Sequence, residues 1–399
     1  MPLKRPQTTR GALSLVFFIM LMDVISFMTL SPVAPYIVQR YSPEALMVTM
    51  VTVIYAGGQF IAAPIIGKVG DRVGRRLVLL VSLVGQGIGY LIFGLGGSLW
   101  VLFLGRSISG ITAGNFSTAY AYIADISKPE ERTKNFALVG AAWSLGVILG
   151  PAMGGIFAQF SLEAPAHAAA ALSFLNVVLC ILILPESLPK EKRKASPMLL
   201  RDYNPIVSIL DMAFKPGLGW LLIILSIYNF AFNGINSIVA LFVIQKFAAQ
   251  PWQVSLLTIF AGIALTVVQF LLIQPLVARK GEKTVAITSL LGQSTGNLGI
   301  FVAPLFWMVY PLNMFTNALS GFTFATVSKL STDHVLDNEV GILMGVTTAL
   351  GSLMGIFGPL WAGVVYDHVA MGAPYWMSAI LYVLAAAILA RIKPISVQN

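Results

Sequence analysis

Twelve apolar stretches of about 20 residues each constrain this chain more than any other feature. They lie near 11–38, 46–67, 77–97, 99–123, 136–158, 166–185, 218–245, 253–277, 285–305, 308–328, 340–366 and 374–391. A helix needs about 20 residues to cross roughly 30 Å of hydrocarbon, and only helices or closed barrels satisfy their own backbone groups there. The alternation of polar and apolar residues that marks barrel strands is missing. An all-α membrane protein with twelve transmembrane helices is therefore expected. The composition agrees, at 57% apolar with a mean hydropathy of +0.84, where soluble domains hold about 45–50% apolar residues. The first stretch is too long for a signal-peptide core and no small-residue cleavage site follows it, so it reads as a retained helix. The one cysteine, Cys180, lies inside the sixth stretch, which excludes an internal disulfide, a zinc cluster or a redox pair. No metal or cofactor is expected.

Charge orients the spans. Of the 25 Lys and Arg residues, all but Arg40, Lys246 and Arg106 fall on the side of the N-terminus when the spans are counted off. Positive residues stay in the cytoplasm, so both termini are expected there. The net charge of +9 is then a topology signal spread over membrane-flanking loops, and no nucleic-acid partner is expected.

The polar segment "PESLPKEKRKASPMLLRDYNPIVSILDMAFKPG", Pro185 to Gly217, is basic and holds five prolines. It reads as a cytoplasmic linker, 187–216, between six-helix halves at 1–186 and 217–399. The halves echo each other. Gly74 in "DRVGRR" lies 77 residues before Pro151 in "GVILGPAMGG", and Gly281 in "ARKGEK" lies 78 residues before Pro359 in "GIFGPLWAG". Such spacing implies a duplicated unit.

Of the sixteen acids Asp23 alone falls deep in a span, and of the bases only Arg106 does. An ionisable residue at that depth costs at least about 2.5–3.5 kcal/mol, so each is a functional candidate. Asp23 lies about 18 Å from one end of its span and Arg106 about 10 Å from the opposite end, which puts them at similar depth. Asp23 is expected to carry the proton and Arg106 to be its electrostatic partner; the alternative is an ion pair that only fixes helix 1 against helix 4. Gly146, Gly150, Pro151, Gly154 and Gly155 put small residues one turn apart, suited to tight packing, with a proline that bends the helix. Asn229, Asn233 and Asn236 form a stripe in span 7, and Asn313, Asn317 and Ser320 form one in span 10. With Gln269 and Gln293 these are candidates to line a substrate cavity near the midplane, or else to bond helices together. No cluster of His, Asp, Glu or Cys points to an enzyme.

In "GKVGDRVGRR", Gly67 to Arg76, five of ten residues are charged. Simple anchoring would use Arg72, Arg75 and Arg76 but explains neither Asp71 nor Gly67 and Gly74, which suit close helix approach and a tight reversal. Asp125, at the end of span 4, lies on the same membrane face. The second-half copy has Ala278 where Asp71 stands.

These motifs, with "LGRSISGITAG" (Leu104 to Gly114), "GVILGPAMGG" (Gly146 to Gly155) and "DVISFMTLSPVAP" (Asp23 to Pro35), resemble the major facilitator superfamily over the whole chain, and within it the drug:proton antiporters of the tetracycline-efflux branch. The resemblance implies two pseudo-symmetric six-helix halves, alternating access, and a multidrug-type antiporter of antibiotic-resistance character in a bacterial inner membrane, working as a monomer on protons and a small-molecule substrate. It implies that Asp71 faces the N-terminal end of helix 11 while Arg75 pairs with Asp125, as a cytoplasmic gate, and that the glycine-proline helix 5 motif accompanies antiport. Gln59 matches a helix 2 glutamine of the tetracycline exporters. Those exporters carry acids where this chain has Gly89 and Gln293, and a helix 8 histidine that it lacks; His167, His334 and His368 lie at helix ends or in loops. A neutral, amphipathic or monocationic solute is expected instead of a metal–tetracycline chelate. The alternative within transport is a proton symporter or facilitator importing a nutrient or metabolite; a non-transporting sensor would not require an intramembrane acid.

Overall fold

The computed structural model describes residues 9–189, 191, 193, 205–215, 217–336 and 339–392. Ten helical stretches among them are long and apolar enough to cross a membrane. The first span comprises α1 (Thr9–Thr29) and α2 (Ala34–Gln39), parted where Pro32 and Pro35 interrupt the backbone ladder. Next come α3 (Ala45–Val73) and α4 (Arg75–Leu95). The fourth span, expected to be continuous, is broken into α5 (Leu99–Ile111) and α6 (Asn115–Ile126). Helix α3 packs closely at the break: a Cβ on Gly110 would lie 2.5 Å from the Tyr55 carbonyl oxygen, and one on Gly114 would lie 2.2 Å from Ile66 Cγ2. Then follow α7 (Arg132–Phe157), α8 (Ala164–Ile183) and a short linker helix, α9 (Pro205–Ala213).

The second half contains α10 (Leu218–Phe247), α11 (Pro251–Val267) continued through a π turn into α12 (Ile273–Lys280), α13 (Glu282–Val302), α14 (Phe306–Thr332), α15 (Val340–His368) and α16 (Ala373–Arg391). The π turn, Val268–Leu272, precedes Pro275, whose missing N–H leaves the Leu271 carbonyl without its helical donor. Helix α14 is long enough to span, but Asn313, Thr316, Asn317, Ser320, Thr323 and Thr326 make it the polar member of its half.

The duplication is visible in packing. In the first half α1 lies against α7 and α8, and α4 against α5 and α8; in the second half α10 lies against α15 and α16, and α13 against α14 and α16. Each half is built on its own apolar cluster, with Met20, Leu83, Tyr122 and Cys180 in one and Ile224, Leu290, Val327 and Tyr382 in the other. The fold is thus all-α, in two pseudo-symmetric six-helix halves. By contact, residues Met1–Pro43, Ile54–Met198 and Gln250–Ile259 make one compact unit, and Glu44–Val53, Leu199–Ala249 and Phe260–Asn399 the other. Large apolar side chains such as Trp100, Phe160 and Trp307 stand exposed. A water-soluble monomer rarely exposes so much apolar surface, and lipid is its natural solvent.

Candidate functional site

The membrane face carrying the α3–α4 loop is called the basic face below. Gly74 stands between α3 and α4 with φ of +105°, a backbone conformation that glycine alone adopts readily. The reversal returns Arg75 over the end of α3, and its buried guanidinium becomes a hub. Arg75 NH2 meets Asp71 Oδ1 at 2.5 Å, Nε meets Asp125 Oδ2 at 3.2 Å, and NH1 donates to the Gly67 carbonyl at 3.4 Å. The close approach comes from Gly70, where a Cβ would lie 3.0 Å from Arg75 NH1; at Gly67 a Cβ would meet nothing within 4 Å, so Gly67 supplies a carbonyl and no tight packing. Arg72 lies half-buried in the last turn of α3. At the same end Arg76 caps the C-terminus of α8, donating to the Ile181 and Cys180 carbonyls.

Sequence reading missed Glu186. Its Oε1 accepts the Arg75 backbone N–H at 2.8 Å, so it caps the N-terminus of α4, while Arg193 lies 3.7 Å from its other oxygen. Ser187 donates to Asp125 at 3.0 Å. A Cβ on Gly74 would lie 2.2 Å from Glu186 Oε2. The available signal was an acid directly after a span that ends on the face of four basic residues.

In the interior of the same unit, Asp23 on α1 is 4% exposed and Arg106 on α5 is 6% exposed. The Asp23 carboxylate accepts a hydrogen bond from Asn115 Nδ2 at 2.8 Å. The Arg106 guanidinium lies over the Tyr55 ring, 4.6 Å from its centroid, and 5.7 Å from that of Phe27. Asp23, Phe27, Tyr55, Gln59, Gln86 and Asn115 share a cavity of about 110 Å³ that Trp143 also lines. That volume suits a few waters at about 30 Å³ each, well below the 300 Å³ or more of organic-ligand pockets. Asn115 Oδ1 is buried with no hydrogen-bond partner among the described residues. The break between α5 and α6 makes Asn115 the first residue of α6; an amide directly after a glycine-rich interruption of an apolar span was the sequence signal for it.

Helix α7 seats α1 beside Asp23. A Cβ on Gly146 would lie 2.4 Å from Val24 Cγ1, one on Gly150 2.5 Å from Met28 Cβ, and one on Gly154 2.4 Å from the Thr29 carbonyl oxygen. Thr29 Oγ1 reaches the Gly150 carbonyl at 3.3 Å. Gly155 faces Ser255 instead, and α7 runs unbroken through Pro151.

In the second unit, Tyr228 on α10 donates to the Ser320 carbonyl on α14 at 3.2 Å. Measured outward from that bond, Asn229, Asn233 and Asn236 lie about 2, 8 and 12 Å along α10, and Asn317 and Asn313 about 5 and 11 Å along the antiparallel α14. The two stripes therefore occupy the same range of depth on neighbouring helices. Asn229, Asn233 and Asn236 each return an N–H to the carbonyl four residues back, and Asn317 donates to Asn313. Gln269 is exposed on the π turn. Gln293 is no cavity residue: it is 1% exposed and donates to Thr323 Oγ1 at 2.7 Å, tying α13 to α14. Asn297 ties α13 to α16 through Ser378 at 2.9 Å in the same way.

A family model, Major Facilitator Superfamily, matches residues 16–265 and 221–398, which together cover nearly the whole chain. The chain belongs to the major facilitator superfamily. Among curated relatives, the class C tetracycline resistance protein of Escherichia coli is 32% identical over 84% of this chain and 83% of its own length. Multidrug resistance protein 2 of Bacillus subtilis (strain 168) is 28% identical over 88% and 89%. Among solved structures, the nucleoside transporter NupG superposes with a TM-score of 0.79 at 15% identity, covering 97% of this chain and 100% of that one. As a superfamily member the protein is an integral membrane transporter and not an enzyme.

Proposed function

We propose that this transporter exports small organic molecules in exchange for protons by alternating access, from a bacterial inner membrane with both termini in the cytoplasm. The observation that carries the reading is Asp23, an acid buried in a span and held by Asn115 on the wall of a water-sized cavity. Protonation there removes the only negative charge deep in the spans, and the polar contacts around it must then rearrange: the Asn115 amide, and the Arg106 guanidinium stacked on Tyr55 and Phe27. Because α1 rests on the glycines of α7 at Val24, Met28 and Thr29, a shift of α1 is passed to α7 by contact. On the cytoplasmic face Asp71, Arg72, Arg75, Arg76 and Asp125, with the turn between Gly67 and Gly74, act as the gate.

The relatives' names, tetracycline resistance and multidrug resistance, support a drug-like cargo. Tetracycline itself fits less well. A Cβ on Gly89 would lie 2.1 Å from Ser109 Oγ and 2.5 Å from the Gly105 carbonyl oxygen, so no acid has room at that position, and Gln293 is committed to Thr323. The Asn229, Asn233, Asn236, Asn313 and Asn317 stripes offer uncharged hydrogen-bonding groups, which suit a neutral, amphipathic or monocationic solute.

Purified protein in liposomes with an imposed pH gradient tests the reading. Wild type moves solute against its own gradient, Asp23→Asn does not, and full gradient-driven transport by that variant overturns the assignment. The second reading, a proton symporter or facilitator importing a nutrient or metabolite, draws on the neutral polar stripes and on the fold shared with NupG. In the same liposomes the direction of solute flow relative to the proton gradient separates the two.

A further inference from the structure

At the membrane face opposite the basic face, α15 ends on an acid. Asp367 stands in the last turn of that helix, where the negative end of the helix dipole disfavours a carboxylate. Its partner is another helix. Asp367 Oδ1 accepts the backbone N–H of Ala45 at 2.8 Å, and Oδ2 accepts that of Leu46 at 2.8 Å. These are the first two residues of α3, whose opening N–H groups have no acceptor within their own helix. The carboxylate thus sits on the positive end of the α3 dipole and makes two charge-assisted hydrogen bonds to it.

One turn earlier on α15, Gly363 makes the room. A Cβ there would lie 2.4 Å from Thr49 Oγ1 and 2.8 Å from Leu46 Cα. Thr49 is fully buried as a result. Gly363 and Asp367 therefore form one docking face, shaped for the head of α3, and Glu44–Val53 belongs to the same compact unit as α15.

We propose that Asp367 is a conformational latch, closed in this structure, that holds the head of α3 on α15 and must open once in every transport cycle. The inference rests on the alternating-access reading above, in which this is the outer face. It is the inverse of the arrangement expected at the basic face. There, Asp71 at the end of α3 would cap the start of α15; here the acid at the end of α15 caps the start of α3. Asp71 is engaged by Arg75 in the same structure.

The test reads protection of Thr49 in the full-length protein. In a Cys180→Ser background with Thr49→Cys as the probe, a bulky polar maleimide is added to ligand-free protein in detergent and the labelling rate is measured. Asp367→Ala is expected to label about tenfold faster, the factor for losing a pair of charge-assisted bonds worth about 1.4 kcal/mol net. Asp367→Asn, which keeps the shape and one acceptor oxygen, should fall between the two. Equal rates in all three proteins overturn the proposal. If Asp367→Ala elutes as aggregate, the Asn variant decides alone: faster labelling supports the latch and an unchanged rate overturns it. The readout needs neither substrate nor a proton gradient, so it stands even if Asp23→Asn transports normally.

Discussion

The two halves repeat one packing scheme and fill it with different chemistry. Around α4 and α5–α6 the first half buries Asp23, Asn115 and Arg106 beside a water-sized cavity. Around the equivalent α13 and α14 the polar side chains that the second half buries are, among the described residues, amides and hydroxyls, paired as Gln293 with Thr323 and Asn297 with Ser378. A carboxylate changes its charge with a single proton and an amide does not. Among the described residues, then, only the first half buries an acid within its spans, while the buried polar groups of the second stay neutral. On the proton-exchange reading proposed above, the difference would place energy coupling in the first bundle and solute contact in the second.

Putting an acid into the third helix of each half, α4 and α13, tests that division most severely. Gly89→Asp in the first half would drive a side chain into Ser109 and the Gly105 carbonyl. Overpacking of about 1–3 kcal/mol and a buried unpaired charge of several more should keep the protein from folding, read as loss of the monodisperse peak after purification. Gln293→Glu keeps the shape, and the Thr323 hydroxyl, which accepts from Gln293 Nε2 in the wild type, can turn its own O–H toward the carboxyl, so folded protein should be recovered. Recovery of Gly89→Asp in normal yield would show that the α4–α5 contact is not as rigid as its spacing implies.

Removing the first half's acid is the next largest effect. Asp23→Asn should lower gradient-driven transport about 100-fold, while solute binding measured by thermal stabilisation stays within about threefold of wild type, because the proposed solute contacts lie on the amide stripes of the second half. Tight linkage of binding to Asp23 would instead merge the two roles that the halves are taken to divide.

The loops sharpen the same contrast. Gly74 and Gly281 both precede a helix with positive φ, +105° and +75°, so alanine strains either by about 1–3 kcal/mol. A Cβ on Gly74 also strikes Glu186 and Arg193, whereas one on Gly281 meets nothing within 4 Å. Gly74→Ala should therefore lower the melting temperature by at least twice as much as Gly281→Ala. Equal shifts would mean that the Arg75–Glu186 hub carries no more stability than the bare loop of the second half.

Hydropathy made the spans and the two buried charges legible, because a bilayer imposes a length and penalises charge on every segment alike, and the matched spacing of glycine and proline motifs made the duplication so. Partners were less so. Arg75 with Asp125 could be expected from a motif, but Glu186 and Asp367 sit at helix ends, where a lone acid reads as solvated until the N-terminus it caps is placed beside it. Asn115 stood in the sequence as an amide directly after a glycine-rich interruption of an apolar span, but its bond to Asp23 became legible only once the break between α5 and α6 set it at the start of a new helix. Gln293 failed for the converse reason: composition reveals that an amide lies in a span but not whether a hydroxyl on the next helix has already claimed it.

That ambiguity yields the smallest and most discriminating prediction. An amide that bonds helices and an amide that touches solute are both polar groups in a span, but removing them has opposite signatures. Gln293→Ala leaves the Thr323 hydroxyl without its partner and should cost about 1–2 kcal/mol of stability, with solute affinity unchanged. Asn233→Ala and Asn317→Ala remove side chains whose donors only return to the preceding turn or to Asn313, so the melting temperature should move by no more than about 1 °C. Their effect should fall on solute affinity, weakened about three- to tenfold, the size of one neutral hydrogen bond. Thermal melts of the three variants with and without a stabilising solute give both quantities at once. A stability loss at Asn233 and Asn317 with unaltered affinity would make those stripes interhelical bonds, and the neutral half would lose its claim to the solute.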